Sequence, residues 1–380
     1  MKANFENLGI NPAIIEGLNK EAITIPTAIQ ALTIPLALEN KDIIAESETG
    51  SGKTLAYLLP LFQKIDISKN ETSVIILAPT HELVVQIDKE IKLLANNSGI
   101  NITSTTIIGD VNIKRQVEKL KKKPNIIVGS SGRILELIKM KKIKSHTVKT
   151  IVVDEGDRLL DKNNISSIQN VIKTTLRERQ LLVFSATIKP ETINEAKKLM
   201  KEPELIKVTK DSTNSENISH SCIVAEQRDK IIFLRKLIAA LNPKKAIVFQ
   251  NKNDEIQITV DKLNHHSIKA CGIYGNASKE ERKKAIDGFK NGTYPILIAS
   301  DIAARGLDIK DVTHIFNLDL PEDSKDYLHR VGRTGRAGKS GTAVTIVTEN
   351  EVTRITRYEK ELKIKIQHKI IQNGKLLNSK

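Results

Sequence analysis

Asp42-Ile43-Ile44-Ala45-Glu46-Ser47 runs into Glu48-Thr49-Gly50-Ser51-Gly52-Lys53-Thr54 and then into LAYLLPLFQKI, which ends at Ile65. The first six residues are short, apolar and β-branched, as a buried strand requires, and the closing stretch carries helical spacing. Between them the glycines let backbone N–H groups wrap a phosphate, and the N-terminus of the following helix faces the anion. Thr49, Gly50, Ser51 and Gly52 form the cradle, Lys53 reaches for the β- and γ-phosphates of a nucleotide, and the Thr54 hydroxyl is placed to ligate Mg2+. Ser47 stands where the general pattern has its first glycine, so the fit is to GxGKT alone. A glycine-rich turn before an ordinary helix would use the same residues. The strand ahead of the loop and the helix behind it favour the phosphate reading.

Working outward, the same alternation recurs. In the first half, apolar runs stand at DIIAES (from 42), VIILAPT (74), STTIIG (104), NIIVGS (125), TIVVDE (150) and LLVFSAT (181), separated by helical stretches such as ELVVQIDKEIKLLANN. Runs this short and apolar on both faces are strands of a parallel sheet, and alternation with helices makes a doubly wound α/β domain. The pattern lapses at TKDSTNSEN and restarts with SCIVAE (221), KAIVFQ (245), ACGIYG (270), PILIAS (295), HIFNLDL (314) and TAVTIVT (342). This predicts two tandem α/β domains over 1–208 and 219–358, a linker at 209–218, and a Lys-rich tail over 359–380 read as a helix with a frayed end.

Ligands of open parallel sheets bind where strands end. TIVVDE ends there in Asp154-Glu155-Gly156-Asp157, about a hundred residues after the phosphate loop. Asp154 is read as holding the metal through water, and Glu155 as positioning or deprotonating an attacking water. Acids after a strand also cap ordinary helices; their pairing with the phosphate loop makes the catalytic reading the stronger one.

Lys and Arg number 60 against 45 Asp and Glu, a net charge of +15 with pI near 9.5, which suits a polyanion. Cys222 and Cys271 lie far apart without ligand-like spacing, so neither a disulfide framework nor a zinc site is expected. With no apolar run of membrane-spanning length and no signal-peptide pattern, the expected place is the cytoplasm, with no membrane partner. Trp is absent and aromatics are 3%, which argues against base stacking as the main binding device.

Further segments resemble the DEAD-box RNA helicases of superfamily 2 over nearly the whole chain, in a minimal-core bacterial form. Ile25-Pro26-Thr27-Ala28-Ile29-Gln30 resembles the adenine-reading segment, and Ile23 stands where the family usually stacks an aromatic on the base. Pro79-Thr80-His81-Glu82-Leu83, Gly109 and Ser130-Ser131-Gly132-Arg133 resemble backbone-contacting motifs. Ser185-Ala186-Thr187 resembles the coupling motif. In the second half, Val248-Phe249-Gln250-Asn251 and Arg282, the segment from Ser300 to Asp308, and Tyr327-Leu328-His329-Arg330-Val331-Gly332-Arg333-Thr334-Gly335-Arg336 resemble the remaining motifs.

The resemblance implies two RecA-like domains, ATP and Mg2+ as cofactors, and RNA as partner. Gln30 and Ile23 would serve adenine, and Asp308 the ribose. Lys53, Glu155, Arg333 and Arg336 would be catalytic, the two arginines acting as fingers on the γ-phosphate. RNA would be held by Thr80, His81, Gly109, Ser131, Arg133, Arg282 and Ser300, while Asp157, Ser185, Thr187 and His329 would couple the domains. Hydroxyls, N–H groups and a few cations grip phosphate and sugar without reading bases. The implied function is an ATP-dependent helicase that locally unwinds or remodels RNA, with ribosome assembly or RNA turnover as its setting. An ATP-gated RNA clamp with little turnover is the other reading, motivated by Ile23, Glu48 and His81.

Gly156 replaces the family's Ala, which keeps all three carboxylates and is expected to spare hydrolysis at a local cost of about 1 kcal/mol in backbone freedom. Asn251-Lys252-Asn253-Asp254 matches the guanine-reading NKxD pattern but lies in the half that lacks the phosphate loop, so it is set aside. His265-His266 has no ligand-like company. The lysines at 119–123 and 139–144 read as solvated helix faces in preference to an extension of the RNA track.

Overall fold

A computed structural model describes the chain apart from residues 1–3, 49, 110, 162–163, 189, 209–216, 275–276, 305–308, 310, 336–338 and 379–380, and the side chains of 279, 302 and 325. Two compact units result, Met1–Thr209 and Lys210–Lys380.

The first unit begins with helices α1 (Pro12–Asn19) and α2 (Ala28–Leu38), then strand β1 (Ile43–Glu46) and α3 (Lys53–Lys64). There follow β2 (Val74–Leu77), α4 (His81–Ser98), β3 (Ser104–Ile107), α5 (Ile113–Leu120), β4 (Ile126–Gly129) and α6 (Ser131–Lys139). The unit closes with β5 (Thr150–Asp154), a short α7 (Gly156–Leu159), α8 (Ile165–Lys173), β6 (Gln180–Ser185), α9 (Pro190–Lys197) and β7 (Glu204–Lys207).

Its seven strands are all parallel, in the order β3-β4-β2-β5-β6-β1-β7. Successive side chains point to opposite faces. Val152 of β5 and Ile76 of β2 therefore enter one core with α1–α4, while Ile151, Val153 and Ile75 enter the other with α5–α9. Burying each of these branched side chains stabilises the unit by about 1.5–3 kcal/mol. The doubly wound parallel architecture expected from the runs is the one observed.

The second unit comprises β8 (Ile218–Val224), α10 (Lys230–Leu241), β9 (Ala246–Phe249), α11 (Asn253–His265), β10 (Ala270–Ile273) and α12 (Lys279–Lys290). It continues through β11 (Ile296–Ala299), α13 (Asp301–Ala304), β12 (His314–Asn317), α14 (Ser324–Val331), β13 (Gly341–Val347) and α15 (Val352–Leu362) to β14 (Gln367–Gln372) and β15 (Lys375–Asn378). The order is β10-β11-β9-β12-β13-β8-β14-β15, parallel except for the last pair. Again one core lies on each face, with α12–α15 on one side and α10–α11 on the other. Cys222 and Cys271 are buried free thiols on β8 and β10.

Three expectations need correction. β7 was not anticipated, because Leu205 is 51% exposed and this edge strand has no buried apolar run. β8 starts at Ile218, inside the segment expected as linker. The segment 359–380 is no frayed helix: α15 ends at Leu362 and β14–β15 form a hairpin on the edge of the second sheet, β14 pairing with β8 through Gln367–Ser221 and His368–Cys222. Asn373 and Gly374 turn the hairpin at φ +50° and +71°. An Asn-Gly pair is the strongest short-range signal for such a turn. The surrounding lysines obscured it.

Candidate active site and nucleic-acid interface

Strand order places the ends of β5, β6 and β1 side by side, which brings Asp154, Ser185 and Ser47 to one edge of the first sheet. The Ser47 N–H donates to the Ser185 carbonyl at 3.0 Å, so the phosphate loop leaves the sheet in contact with the SAT segment. Gly50 and Gly52, at φ +80° and +92°, turn the loop into α3. The Glu48 carbonyl accepts from the Ser51 hydroxyl at 2.7 Å and from Lys53 Nζ at 2.6 Å, and Lys53 also donates to the Ser47 carbonyl. Burial pulls the Lys53 pKa down to about 8, against Asp154, Asp157, Glu155 and Glu48, which favour its charge. The loop thus encloses a cation facing three carboxylates on the next strand end but one. Glu48 contributes a favourable charge to Lys53 as well as its carbonyl.

Asp154 is buried and held from both sides: Tyr57 Oη donates to Oδ2 at 2.9 Å and the Glu155 N–H to Oδ1 at 2.9 Å. Tyr57 lies one helical turn beyond Lys53 and is fully buried; nothing in the sequence patterns singled it out. Burial pushes the Asp154 carboxyl up, with Lys53 opposing. Glu155 sits in the left-handed region at φ +53°, ψ 54°, a costly conformation for a non-glycine residue. It marks the abrupt turn from strand into α7. Asp157 and the SAT segment are joined: the Asp157 N–H donates to Ser185 Oγ (3.1 Å), Ser185 Oγ to the Thr187 carbonyl (2.8 Å), and Thr187 Oγ1 to Asp157 Oδ2 (3.4 Å).

Gly156 turns out to be more than a tolerated loss of a methyl group. A Cβ there would stand 2.7 Å from Val183 Cγ1, whose own β-branched side chain is stiff and buried. Gly156→Ala is expected to destabilise the first unit by about 1 kcal/mol, the overpacking exceeding the entropic gain of removing a glycine. With Val183→Ala added, the double variant should be more stable than the two single effects sum to, as measured by a denaturation cycle.

Gln30 does not hang free. Its Oε1 accepts from the Thr27 N–H at 2.9 Å, capping α2, and its Nε2 donates to the Gly52 carbonyl at 3.1 Å. A Cβ on Gly52 would collide with that amide at 2.5 Å. The segment expected to read adenine is therefore fastened to the phosphate loop. Ile23 is half-buried against the same core. Thr49 lies outside the described residues.

Thr80, His81, Gly109, Ser131 and Arg133 also gather at the carboxyl edge, at the ends of the neighbouring strands β2, β3 and β4. Thr80 caps α4 by accepting from the Leu83 N–H (3.2 Å), His81 is the first residue of that helix, and Ser131 opens α6 with its hydroxyl 2.6 Å from that of Ser167. Two helix N-termini and the exposed Gly109 present N–H groups of the kind that hold phosphates. Arg133 faces inward instead: it donates to the Gly109 and Val111 carbonyls and pairs with Glu136 at 2.8 Å. Its observed role is to shape the Gly109 loop.

In the second unit, Arg282 donates to the Ala303 carbonyl at 3.2 Å, and Ser300 Oγ accepts from the Ala303 N–H at 3.4 Å, so these two candidates share one turn. His329 and Arg333 line a small pocket with Phe249, Asp301, Asp326 and Arg330. Asp308 and Arg336 lie outside the described residues. The organising residue is Arg330, which was given no separate role. It is 1% exposed, binds Asp301 in bidentate fashion (2.7 and 2.6 Å), and donates to the Asp319 carbonyl (2.6 Å), Asn251 Oδ1 (2.6 Å) and Asn317 Oδ1 (3.4 Å). The Phe249 ring lies beneath it at 5.1 Å. All five guanidinium donors are used.

A glycine-wrapped lysine beside strand-end carboxylates, in a doubly wound unit followed by a second such unit, defines a phosphate-loop nucleotidase of the helicase class. Residues 27–196 match the DEAD/DEAH box helicase family model and 229–338 the helicase conserved C-terminal domain. The chain is 43% identical over 371 residues to the DEAD-box ATP-dependent RNA helicase CshC of Bacillus cereus, covering 98% of this chain and 94% of that one. It is 42% identical over 363 residues to the probable ATP-dependent RNA helicase YfmL of Bacillus subtilis, covering 96% of each. Among solved structures, Saccharomyces cerevisiae Dbp5 bound to RNA and ADP BeF3 superposes with a TM-score of 0.87 at 27% identity, covering 97% of this chain and 95% of that one. The chain belongs to the DEAD-box family of ATP-dependent RNA helicases. Both units are accordingly RecA-like, as the motifs implied.

Proposed function

We propose that this helicase grips one RNA strand by its backbone in the ATP-bound state, pries it locally from its complement, and releases it on hydrolysis. The observation that carries the proposal is Lys53, enclosed by its loop and facing Asp154, Glu155 and Asp157 at one sheet edge. In this reading Lys53 neutralises the β- and γ-phosphates and Glu155 orients and deprotonates the attacking water. Arg333, together with Arg336, adds charge on the γ-phosphate, Gln30 serves adenine, and Asp308 serves the ribose. Asp157, Ser185, Thr187 and His329 couple nucleotide state to RNA grip.

Among the described residues no three His, Cys, Asp or Glu cluster as a self-sufficient metal cage. That donor set fits Mg2+, which is held by one or two protein oxygens together with nucleotide phosphates. Asp154, its carboxylate fixed by Tyr57, and Thr54 would hold it, and the ion would supply charge neutralisation to the triphosphate. Thr80, His81, Gly109, Ser131, Arg282 and Ser300 would meet phosphates and 2′-hydroxyls, with Arg133 keeping the Gly109 loop in shape. Structured RNAs such as ribosomal precursors or transcripts under decay are the substrates in view. Buried free Cys222 and Cys271 suit a reducing cytoplasm, and among the described residues no helix is long and apolar enough to cross a membrane.

Steady-state hydrolysis measured without nucleic acid, with RNA, and with DNA of matched length tests this. RNA alone is expected to stimulate turnover. Equal stimulation by DNA would remove the 2′-hydroxyl from the reading, and ATP-dependent RNA binding without turnover would replace the enzyme with a clamp.

A further inference from the structure

Chain direction in a parallel sheet sends each helix back to the amino edge before the next strand begins. The segments after α5 and α6 therefore lie on the edge opposite the phosphate loop and the candidate RNA contacts. Between Lys119 and Lys149 the chain holds nine lysines and a single carboxylate, Glu136, which is paired with Arg133. All nine lysines (119, 121, 122, 123, 139, 141, 142, 144 and 149) are exposed.

The two segments enter β4 and β5, which flank β2, and hydrogen bonds through the start of β2 tie them together. Thr72 Oγ1 donates to the Pro124 carbonyl at 2.7 Å, and Thr147 Oγ1 donates to the Thr72 carbonyl at 2.6 Å. The Ser73 N–H donates to the Asn125 carbonyl at 3.0 Å, and the Lys149 N–H to the Ser73 carbonyl at 2.7 Å. Lysines distant in sequence thus share one pinned surface. The β2 approach adds Lys69 with Asp66 and Glu71, and Asp66 pairs with Lys69 at 3.5 Å.

Lysines near a helix C-terminus also offset the helix dipole within the last turn. That accounts for Lys119, Lys121 and Lys139, and Lys121 further pairs with Glu118 at 2.7 Å. It does not account for Lys142, Lys144 and Lys149, which lie beyond the last turn of α6.

We infer that this lysine edge is a second RNA-contacting surface, which holds a structured part of the substrate away from the strand gripped at the carboxyl edge. The inference rests on the RNA reading above. A polyanion is the partner that nine cations with so few carboxylates select, and contact by lysine without aromatic or arginine company grips phosphates and not bases. Four-residue strands put the two edges at least about 13 Å apart. A short single strand seated at one edge therefore does not reach the other, whereas an RNA carrying a flanking hairpin does.

The test compares the parent with a Lys122→Gln, Lys139→Gln, Lys142→Gln, Lys144→Gln variant of the full chain. Binding is measured against a short single-stranded RNA and against the same strand extended by a hairpin, across a salt series. The variant is expected to bind the short strand and hydrolyse ATP as the parent does. It should bind the extended RNA about ten-fold more weakly, with the salt slope reduced by about 2–3. Unchanged affinity for the extended RNA, or an equal loss on the short strand, overturns the inference. A parent that binds neither RNA would instead sink the underlying RNA reading.

Discussion

Glu155→Gln is expected to keep ATP-dependent RNA binding near the parental level and to lose turnover by about a hundred-fold or more. The amide keeps the size and hydrogen-bonding reach of the carboxylate but cannot take a proton from water. Glu155 is placed for that task by its backbone: at φ +53° it leaves β5 at a sharp angle, while its own N–H steadies Asp154. Such a conformation costs about 1 kcal/mol for a residue with a side chain. Its retention immediately after the buried Asp154 links strain to chemistry. Phosphate release and RNA fluorescence anisotropy with ATP, measured on one preparation, separate the two outcomes. Hydrolysis at the parental rate would remove Glu155 from the role of base; loss of RNA binding would mean that the substitution disturbs more than proton transfer.

Arg330→Ala should destabilise the second unit by about 3–5 kcal/mol, because it strands the Asp301 carboxylate and leaves Asn251, Asn317 and the Asp319 carbonyl without their shared donor. Arg330→Lys should recover little, since one ammonium cannot replace a planar fork serving four residues above the Phe249 ring. Arg333→Ala, three residues on, is the internal control. It should leave the denaturation midpoint close to the parent's while removing most RNA-stimulated turnover. Denaturant unfolding of all three variants decides the matter: a midpoint for Arg330→Ala within experimental error of the parent's would show that the buried network contributes little.

The second unit's network explains why its motifs were easy to see and hard to interpret. Asn251, Asp301 and Arg330 fall in three separate motifs, and only the packing of β9, β11 and β12 beside α14 makes one cluster of them. A spacing of three between arginines suggested equivalent roles. The fold gives Arg330 a buried structural role and leaves Arg333 at the pocket rim. The phosphate loop differs, since Gly50, Gly52, Lys53 and Thr54 are contiguous and their geometry follows from a strand, a turn and a helix start. Its fit was legible without tertiary information, as was the Asp154-Glu155 strand end.

What the sequence determined by itself is local: which runs are strands, where phosphate is cradled, which carboxylates a strand delivers to its end, and the family these motifs imply. Each depends on neighbours within one strand–turn–helix unit, so residue order suffices. Tertiary structure alone decided that Val183 fills the space of a missing methyl at Gly156, that Tyr57 fixes Asp154, that Arg133 shapes a loop, and that the last residues extend a sheet. It also decided that lysines at 119–123 and 139–149 form one surface on the edge away from the nucleotide. Those facts depend on strand order and direction, which pair residues far apart in sequence through packing and hydrogen bonds that no local pattern records.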